Sequence, residues 1–321
     1  MNSIPDVSVY MLTYYHEKYI SQAIESVLAQ KTHYTYEIVI SDDFSQDGTC
    51  DILREYEKKY PNIIRVNYNE TNIGIPANMF KVRCMCRGRY ITVLSGDDYW
   101  IDRGKIEKEA SFLDEHQEYV AVFNRAEMRM NDSKVPYEVV PDQRDPLNRE
   151  YSLRNYEKCE PLCTHGFFMR NFFLTEEGRA YFAQAREISP YVDDAVDEVL
   201  VLRRGPVFFM DITADAHRVV PSTGEKKNYN SRYSRLEKFT HHIDLLNAMD
   251  NRWRSEIDFS NWYAKFCAVG ILGMLVSRDF KGYKPVFESI PDHYKHPFVK
   301  GAYIRSVPEM FKLVAGRLRR R

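Results

Sequence analysis

Through Asn124 the chain alternates short runs of β-forming apolar residues with longer stretches in which apolar residues recur every three or four positions. Val7–Thr13 (VSVYMLT), Tyr36–Ser41 (YEIVIS), Ile63–Tyr68, Tyr90–Leu94 and Tyr119–Asn124 read as strands. Tyr19–Gln30, Cys50–Tyr60, Ala77–Cys86 and Arg103–His116 read as helices; Ile20, Ile24, Val27 and Leu28, for example, share one face. This alternation predicts an α/β fold with parallel strands and right-handed crossovers. Ligands in such sheets sit beyond the carboxyl ends of the strands. Those ends carry Thr13-Tyr14, Asp42-Asp43 and Asp97-Asp98.

Past Asn124 the pattern loosens. Met130–Tyr151 is polar, with Pro136, Pro141 and Pro146, and predicts a long surface loop. Cys163–Leu174 has an apolar half. Ser189–Arg204 predicts a helix with Val192, Val196, Val199 and Leu200 on one face and Asp193, Asp194, Asp197 and Glu198 at its start. Val207–Ile212 reads as another strand and Ala214–Ser222 as an extended segment. From Glu225 the chain changes in kind, with helices expected at Leu236–Asp250 and Phe259–Arg278, a segment rich in Pro and Tyr, and a basic last helix. A boundary near Gly224 separates an α/β domain (1–224) from a mainly helical region (225–321).

The stretch Ile91–Trp100 (ITVLSGDDYW) narrows the chemistry. A buried strand that ends in two carboxylates is costly unless a cation, or a ligand carrying one, meets them. The competing reading is an Asp pair that caps the helix beginning near Asp102. A dinucleotide fold needs a glycine turn after its first strand, yet the first glycine is Gly48, and no GxxxxGK[ST] occurs. A phosphate held without a glycine cradle is best held by a metal.

Composition adds bounds. The 321 residues are 44% hydrophobic, enough for one large core and an appendage, and the net charge of -1 gives no pull toward nucleic acid. Phe266–Val276, the longest apolar run, is too short to span a bilayer. The start shows no apolar leader, and the six cysteines form no CxxC pair, which argues against a zinc cage or disulfide framework. A cytoplasmic setting is expected.

Three segments together resemble the family 2 glycosyltransferases, which are inverting, nucleotide-sugar-dependent enzymes of the GT-A fold. VSVYMLTYYHEKYISQAIESVLAQ is similar to the family's VSVxxPTYNxxxYIxxxIxSVLxQ, with Leu12 at the usual Pro and Tyr15 at the usual Asn. EIVISDDFSQDGT is similar to EIIIxDDxSxDGT, with Phe44 in the variable slot. NIGIPANMFKVRCMCRGRYITVLSGDDYW is similar to NxGxxxNxxxxxxxxxGxYIxxLxxDDxW, which carries the acidic motif. The resemblance covers about the first two-thirds of the chain. It implies a mostly parallel central sheet flanked by helices, with a C-terminal helical extension.

Carried over by position, Thr13 and Tyr14 lie against the base and ribose, and Asp42 or Asp43 accepts a hydrogen bond from the base, which favours uridine. Asp97 and Asp98 meet the metal, Mn²⁺ or Mg²⁺, and Asp97 also faces the donor. The first Asp of the common DxD is Ser95 here, which leaves open which Asp is the direct ligand. The acceptor base is expected near the helix start at Asp194, with Asp193 and Asp197 as alternatives; there the competing reading is charge complementing the helix dipole. His165 falls at an acceptor-side motif or is a structural residue. His217-Arg218, in TADAHRVVPSTG, resembles the YRxHxxS segment, and Arg218 is expected to pair with the leaving diphosphate.

The expected activity is sugar transfer from a nucleotide donor, UDP-type, to a glycan or lipid-linked acceptor in bacterial surface polysaccharide assembly, with no nucleic-acid partner. The alternatives are a non-catalytic relative that binds a glycan or a partner, and a sugar-phosphate nucleotidyltransferase. In Val307–Arg321, Val307, Met310, Phe311, Val314 and Leu318 share a helical face, opposite Lys312, Arg317, Arg319, Arg320 and Arg321. Such a tail predicts peripheral contact with an anionic membrane, or a terminal helix docked on its own domain.

Overall fold

The structure, a computed structural model, describes residues 4–131, 133–142, 147–160, 167–188, 194–219 and 233–294. Two compact units divide them: 4–152 with 167–219, and 153–160 with 233–294. The predicted boundary at Gly224 and the basic tail lie outside the described residues.

In the first unit the strands β1 (Val7–Thr13), β2 (Tyr36–Asp42), β3 (Ile64–Tyr68) and β4 (Tyr90–Ser95) run parallel in the order β3-β2-β1-β4. Six of the seven β1 residues are buried, as a central strand covered on both faces requires. Helices α1 (Ile20–Leu28), α2 (Thr49–Lys59) and α3 (Ile75–Met85) are the crossovers. Val9, Met11, Ile24, Ile38, Ile40 and Leu53 meet in one core with no exposed surface.

Beyond β4 the sheet departs from the expected parallel run. After β5 (Tyr99–Trp100) and helix α4 (Lys105–Glu115), the long β6 (Ala121–Met130) does not pair with β4. The short β9 (Phe168–Arg170) sits between them and is antiparallel to both. The predicted loop 130–151 holds β7 (Glu138–Val140) and β8 (Arg149–Tyr151), which add to β6 and β10. The two segments expected after residue 206 are one bent strand, β10 (Val207–Val219). It is parallel to β6, with register shifts between Phe209 and Asp215. Helix α5 (Leu153–Glu157) belongs to the second unit. Helix α6 (Glu176–Ile188), which the reading of apolar runs passed over, and α7 (Asp194–Leu202) complete the first. The result is a mixed sheet of ten strands among the described residues, flanked by helices, with its larger share of strands in one direction.

In the second unit, α8 (Arg235–Trp253) starts at a capping box: Ser234 accepts from the Glu237 backbone and Glu237 from that of Ser234. It packs against α9 (Ser260–Ser277) and α10 (Phe280–Glu288) through Phe239, which stacks on Tyr283 and meets Phe287 at a tilt. Gly270 permits this approach, since a Cβ there would lie 2.5 Å from the Phe239 ring.

Candidate active site

The turn after β4 makes the acidic motif. Gly96 donates to the Leu12 carbonyl at 2.9 Å, and Asp98 donates from its backbone to Ser95 at 3.0 Å. A Cβ at Gly96 would lie 2.7 Å from His16 Nδ1, so only glycine lets β1 and the turn close together. The antiparallel pairing of Tyr99-Trp100 with Ala216-Asp215 then brings the end of β10 back over the turn.

Residues far apart in sequence meet there. Asp98 Oδ2 lies 2.9 Å from His217 Nδ1, and Oδ1 accepts from the Arg218 backbone at 2.7 Å. Burial pushes the Asp98 carboxyl up, against the pull of His217, and the charge of Asp97 adds to the rise. Burial would lower the His217 pKa, but the bond to Asp98 raises it. Asp97 differs. Among the described residues its carboxylate has one Lys, Arg or His nitrogen within 4 Å, His16 Nε2 at 3.8 Å, and its side chain keeps 29% exposure.

Arg218 is 3% exposed. Its guanidinium donates to the Asp97 carbonyl and, at 2.6 Å, to Gln22 Oε1, and lies 4.4 Å and 5.3 Å from the ring centres of Tyr19 and Tyr99. The group expected at the diphosphate thus holds the backbone of the acidic turn in place.

Directly behind the turn is a buried charge cluster. Lys105 Nζ donates to Glu109 Oε1 (3.0 Å), Asn124 Oδ1 (2.9 Å) and Asp215 Oδ2 (3.2 Å) and lies 5.5 Å from the Trp100 ring. Neither Lys105 nor Glu109 has exposed surface. Burial would lower the Lys105 pKa, yet Asp215 and Glu109 raise it, so the ammonium stays charged. One cation balances one carboxylate. The other takes up a proton: burial and the Asp215 charge push Glu109 up to about 8 despite Lys105. The cluster fixes Asp215, two residues before His217. It left a sequence signal, because Lys105 and Glu109 occupy the inward stripe of α4 with Ile106, Ala110 and Leu113. Tyr19 stands at the Tyr of the YIxxxI segment of the first motif, whereas His16, Gln22 and Tyr99 carried no signal beyond their proximity to motifs.

The expected base-binding residues lie at the ends of β1 and β2. Thr13 is buried, and its Oγ1 finds no hydrogen-bond partner among the described residues. Tyr14 is exposed and edge-on to Tyr15. Asp42 is engaged within its own turn, accepting from Ser45 N (2.9 Å), Ser45 Oγ (2.5 Å) and Cys50 Sγ (3.2 Å). Asp43 accepts from the backbone of Ile73 (2.9 Å) and Gly74 (3.0 Å) and from Asn69 Nδ2 (3.1 Å), tying the loop before α3 to β2. Phe44, at φ 69°, stands exposed beside it.

Of the acceptor-base candidates, Asp193 lies outside the described residues, as do the side chain of Asp194 and all of His165. Asp194 opens α7. Asp197 is taken up structurally: Arg83 Nη1 meets its Oδ2 at 2.5 Å, and Arg83 Nε donates to Tyr10 OH at 3.0 Å. Among the described residues, no group of three or more His, Cys, Asp or Glu side chains is arranged to hold a metal ion.

The model of the family described as "Glycosyl transferase family 2" matches residues 8–179. The chain belongs to that family. This glycosyltransferase family 2 chain is 40% identical over 109 residues to TuaG of Bacillus subtilis, which is named for teichuronic acid biosynthesis; the match covers 34% of the chain and 42% of TuaG. It is 34% identical over 111 residues to the poly(ribitol-phosphate) β-N-acetylglucosaminyltransferase TarS of Staphylococcus aureus, covering 34% of the chain and 19% of TarS. The chain spans less than half the length of the curated relatives it matches. The crystal structure of S. aureus TarS 1-349 in complex with UDP-GlcNAc aligns with a TM-score of 0.53 at 18% identity, over 88% of this chain and 90% of that one. The mannosyltransferase PcManGT of Pyrobaculum calidifontis, in complex with GDP-Man and Mn²⁺, aligns at 0.50 with 12% identity, over 94% and 85%. These alignments establish the GT-A fold.

Proposed function

We propose that this chain is a metal-dependent, inverting glycosyltransferase that moves a sugar from a UDP-type donor to a glycan or lipid-linked acceptor during surface polysaccharide assembly. The observation that carries the reading is the contrast between Asp97 and Asp98. Asp98 is held on both oxygens by His217 and Arg218, whereas among the described residues the Asp97 carboxylate has a single basic nitrogen within 4 Å, His16 Nε2 at 3.8 Å. A carboxylate so placed at the end of a buried strand fits a divalent cation, Mn²⁺ or Mg²⁺, with the donor's phosphates completing the shell. Asp97 is therefore the direct ligand and Asp98 the residue that orients it. When bound, the cation acts as a Lewis acid on the diphosphate.

The other roles belong to the chain itself. The Thr13 hydroxyl, without a partner among the described residues, and the exposed ring of Tyr14 suit the nucleoside. Asp43, which secures the Ile73-Gly74 loop, frames the base; Asp42 secures its own turn. Arg218 holds the acidic turn at fixed distance from α1 through Gln22. Asp194 takes the proton from the acceptor hydroxyl as the sugar is transferred. Asp193 is its alternate, since Asp197 is committed to Arg83. We further assign the basic tail 307–321 to peripheral contact with the inner face of the membrane, where a lipid-linked acceptor would be met. Among the described residues, no helix is long and apolar enough to cross a membrane.

Thermal unfolding with UDP, with and without Mn²⁺, tests the donor site. UDP at 100 times its dissociation constant adds about 2.7 kcal/mol, and the gain depends on the metal. Asp194→Asn keeps that gain while turnover of a nucleotide sugar falls about 100- to 10,000-fold. A metal-independent gain sinks the metal assignment, and loss of the gain in Asp194→Asn moves that residue to the donor site.

A further inference from the structure

The corner between α9 and α10, in the second unit, is apolar where helical corners are ordinarily polar. Leu275, Val276 and Phe280 are 53%, 50% and 57% exposed, and Val269, further up α9, is also exposed. The opposite side of α10 is occupied, with Tyr283 and Val286 buried and Tyr283 stacked on Phe239. The outward residues are thus surplus to the packing of the unit.

The charges around the corner indicate what it meets. Arg278, Lys281 and Lys284 are exposed there. The carboxylates of the same stretch are Asp279, whose Oδ1 caps α10 through the Gly282 backbone at 2.9 Å, and Glu288, 3.7 Å from Lys284. Arg278 itself sits at φ 57°, in the left-handed region, at the position after α9 where glycine is the unstrained choice. A long cationic side chain kept in a disfavoured backbone conformation at an exposed corner points to use of that side chain. Apolar side chains at the tip with cations beside them match the water–lipid boundary, with hydrocarbon below and anionic headgroups at the level of the charges.

We propose that the α9–α10 corner seats on an anionic bilayer surface, with Leu275, Val276 and Phe280 entering the headgroup region and Arg278, Lys281 and Lys284 pairing with lipid phosphates. This contact is separate from the basic tail; it rests on the proposed activity only in that a lipid-linked acceptor gives it a purpose.

Co-sedimentation of the full chain with phosphatidylcholine vesicles, with and without phosphatidylglycerol, tests it. Two variants are compared with the parent: Leu275→Ser/Val276→Ser/Phe280→Ser and Arg278→Glu/Lys281→Glu/Lys284→Glu. The parent pellets with the anionic vesicles and is partly released by salt. Each cation near such a surface contributes about fivefold, so charge reversal weakens partitioning at least about a hundredfold. The serine variant weakens it at least about tenfold. If both variants pellet as the parent does, the corner is not the contact and the proposal falls. It also falls if the parent ignores anionic lipid, or if light scattering shows a dimer that the serine variant dissolves, which assigns the corner to a second copy of the chain. All substituted positions are exposed, and an unchanged UDP-induced thermal shift reports that the variants fold. Should UDP shift none of the three proteins while the vesicle results hold, the donor reading fails and the corner assignment stands.

Discussion

The two edges of the parallel half-sheet treat buried polar groups in opposite ways. At the amino edge Glu37, near the start of β2, accepts six hydrogen bonds. They come from Ser8 Oγ (2.7 Å), the Arg87 backbone (2.9 Å), Arg87 Nε and Nη2 (3.0 and 2.7 Å), and Arg65 Nε and Nη2 (3.2 and 3.0 Å). At the carboxyl edge, five strand positions from Ser8, Thr13 Oγ1 is buried without a partner among the described residues, as is His16 Nδ1 just beyond it, and the Asp97 carboxylate has one basic nitrogen within 4 Å. Burying a polar group costs free energy unless it is paired. An edge where each such group is paired is finished structure; one where several are unmet has partners still to come. The same strand, β1, serves both edges, so the difference lies in the residues placed at its ends.

The sharpest way to break this contrast is to damage each edge once. Glu37→Gln removes the charge that two arginines share and lowers stability by about 3 kcal/mol, the smaller end for a broken buried pair because both arginines are partly exposed. Turnover per folded molecule stays at the parent level. Burial would raise the Glu37 pKa, but Arg87 and Ser8 hold it below the usual range. Its contribution is therefore present above the ordinary carboxylate pKa and is lost as pH falls through the lowered one. Urea unfolding at neutral pH and in acid reads both effects.

Asp97→Asn is the counterpart. Turnover falls at least about 100-fold, roughly 2.7 kcal/mol of barrier, while urea unfolding moves by less than about 0.5 kcal/mol. A stability loss as large as that of Glu37→Gln would make the two edges alike and remove the argument that one of them awaits a ligand.

The same edges explain what was legible in the sequence. β1 to β4 and their helices are contiguous, with β1, β2 and β4 largely buried, so hydrophobic periodicity located them within a residue or two. Asp42, Asp43, Asp97 and Asp98 stand at strand ends for the same reason. The far half-sheet was legible only in part: Tyr119–Asn124 and Val207–Ile212 mark β6 and β10, but the strands that join them to the rest were not legible. β9 is three residues long and enters between strands that precede it in sequence, and β7 and β8 are equally short. Three residues carry no period. Nor does a motif state how its side chains are spent. Asp42 and Asp98 have similar sequence context, yet one is consumed by Ser45 and Cys50 and the other by His217 and Arg218, partners from different distances along the chain.

The cluster behind the acidic turn offers an effect with the opposite pH slope. Glu109 is pushed up to about 8, above its ordinary value, so from about pH 5 to about pH 8 the unfolded chain gives up a proton that the folded chain keeps. Stability therefore falls as pH rises through that window, whereas Glu37 makes it fall toward acid. Glu109→Gln supplies the neutral form permanently and flattens the curve. Guanidinium unfolding across the window checks this. An unchanged slope in the variant would mean that Glu109 is ionised beside Lys105.

The smallest effect tests whether strain at the ligand edge is retained for use. Phe44 holds φ 69° with its ring 43% exposed, next to the Asp43 carboxylate that secures the Ile73-Gly74 loop. Asparagine adopts this conformation more readily than phenylalanine. Phe44→Asn should therefore raise stability by up to about 1 kcal/mol, since an exposed ring contributes little packing. If the ring covers the base of the bound donor, the same substitution weakens UDP binding about three- to tenfold, the worth of one stacking contact. The expected outcome is both changes together: a higher unfolding midpoint without ligand and a smaller UDP-induced shift. A higher midpoint with an unchanged shift would show that the ring has no part in the donor site, leaving its backbone strain without a functional account.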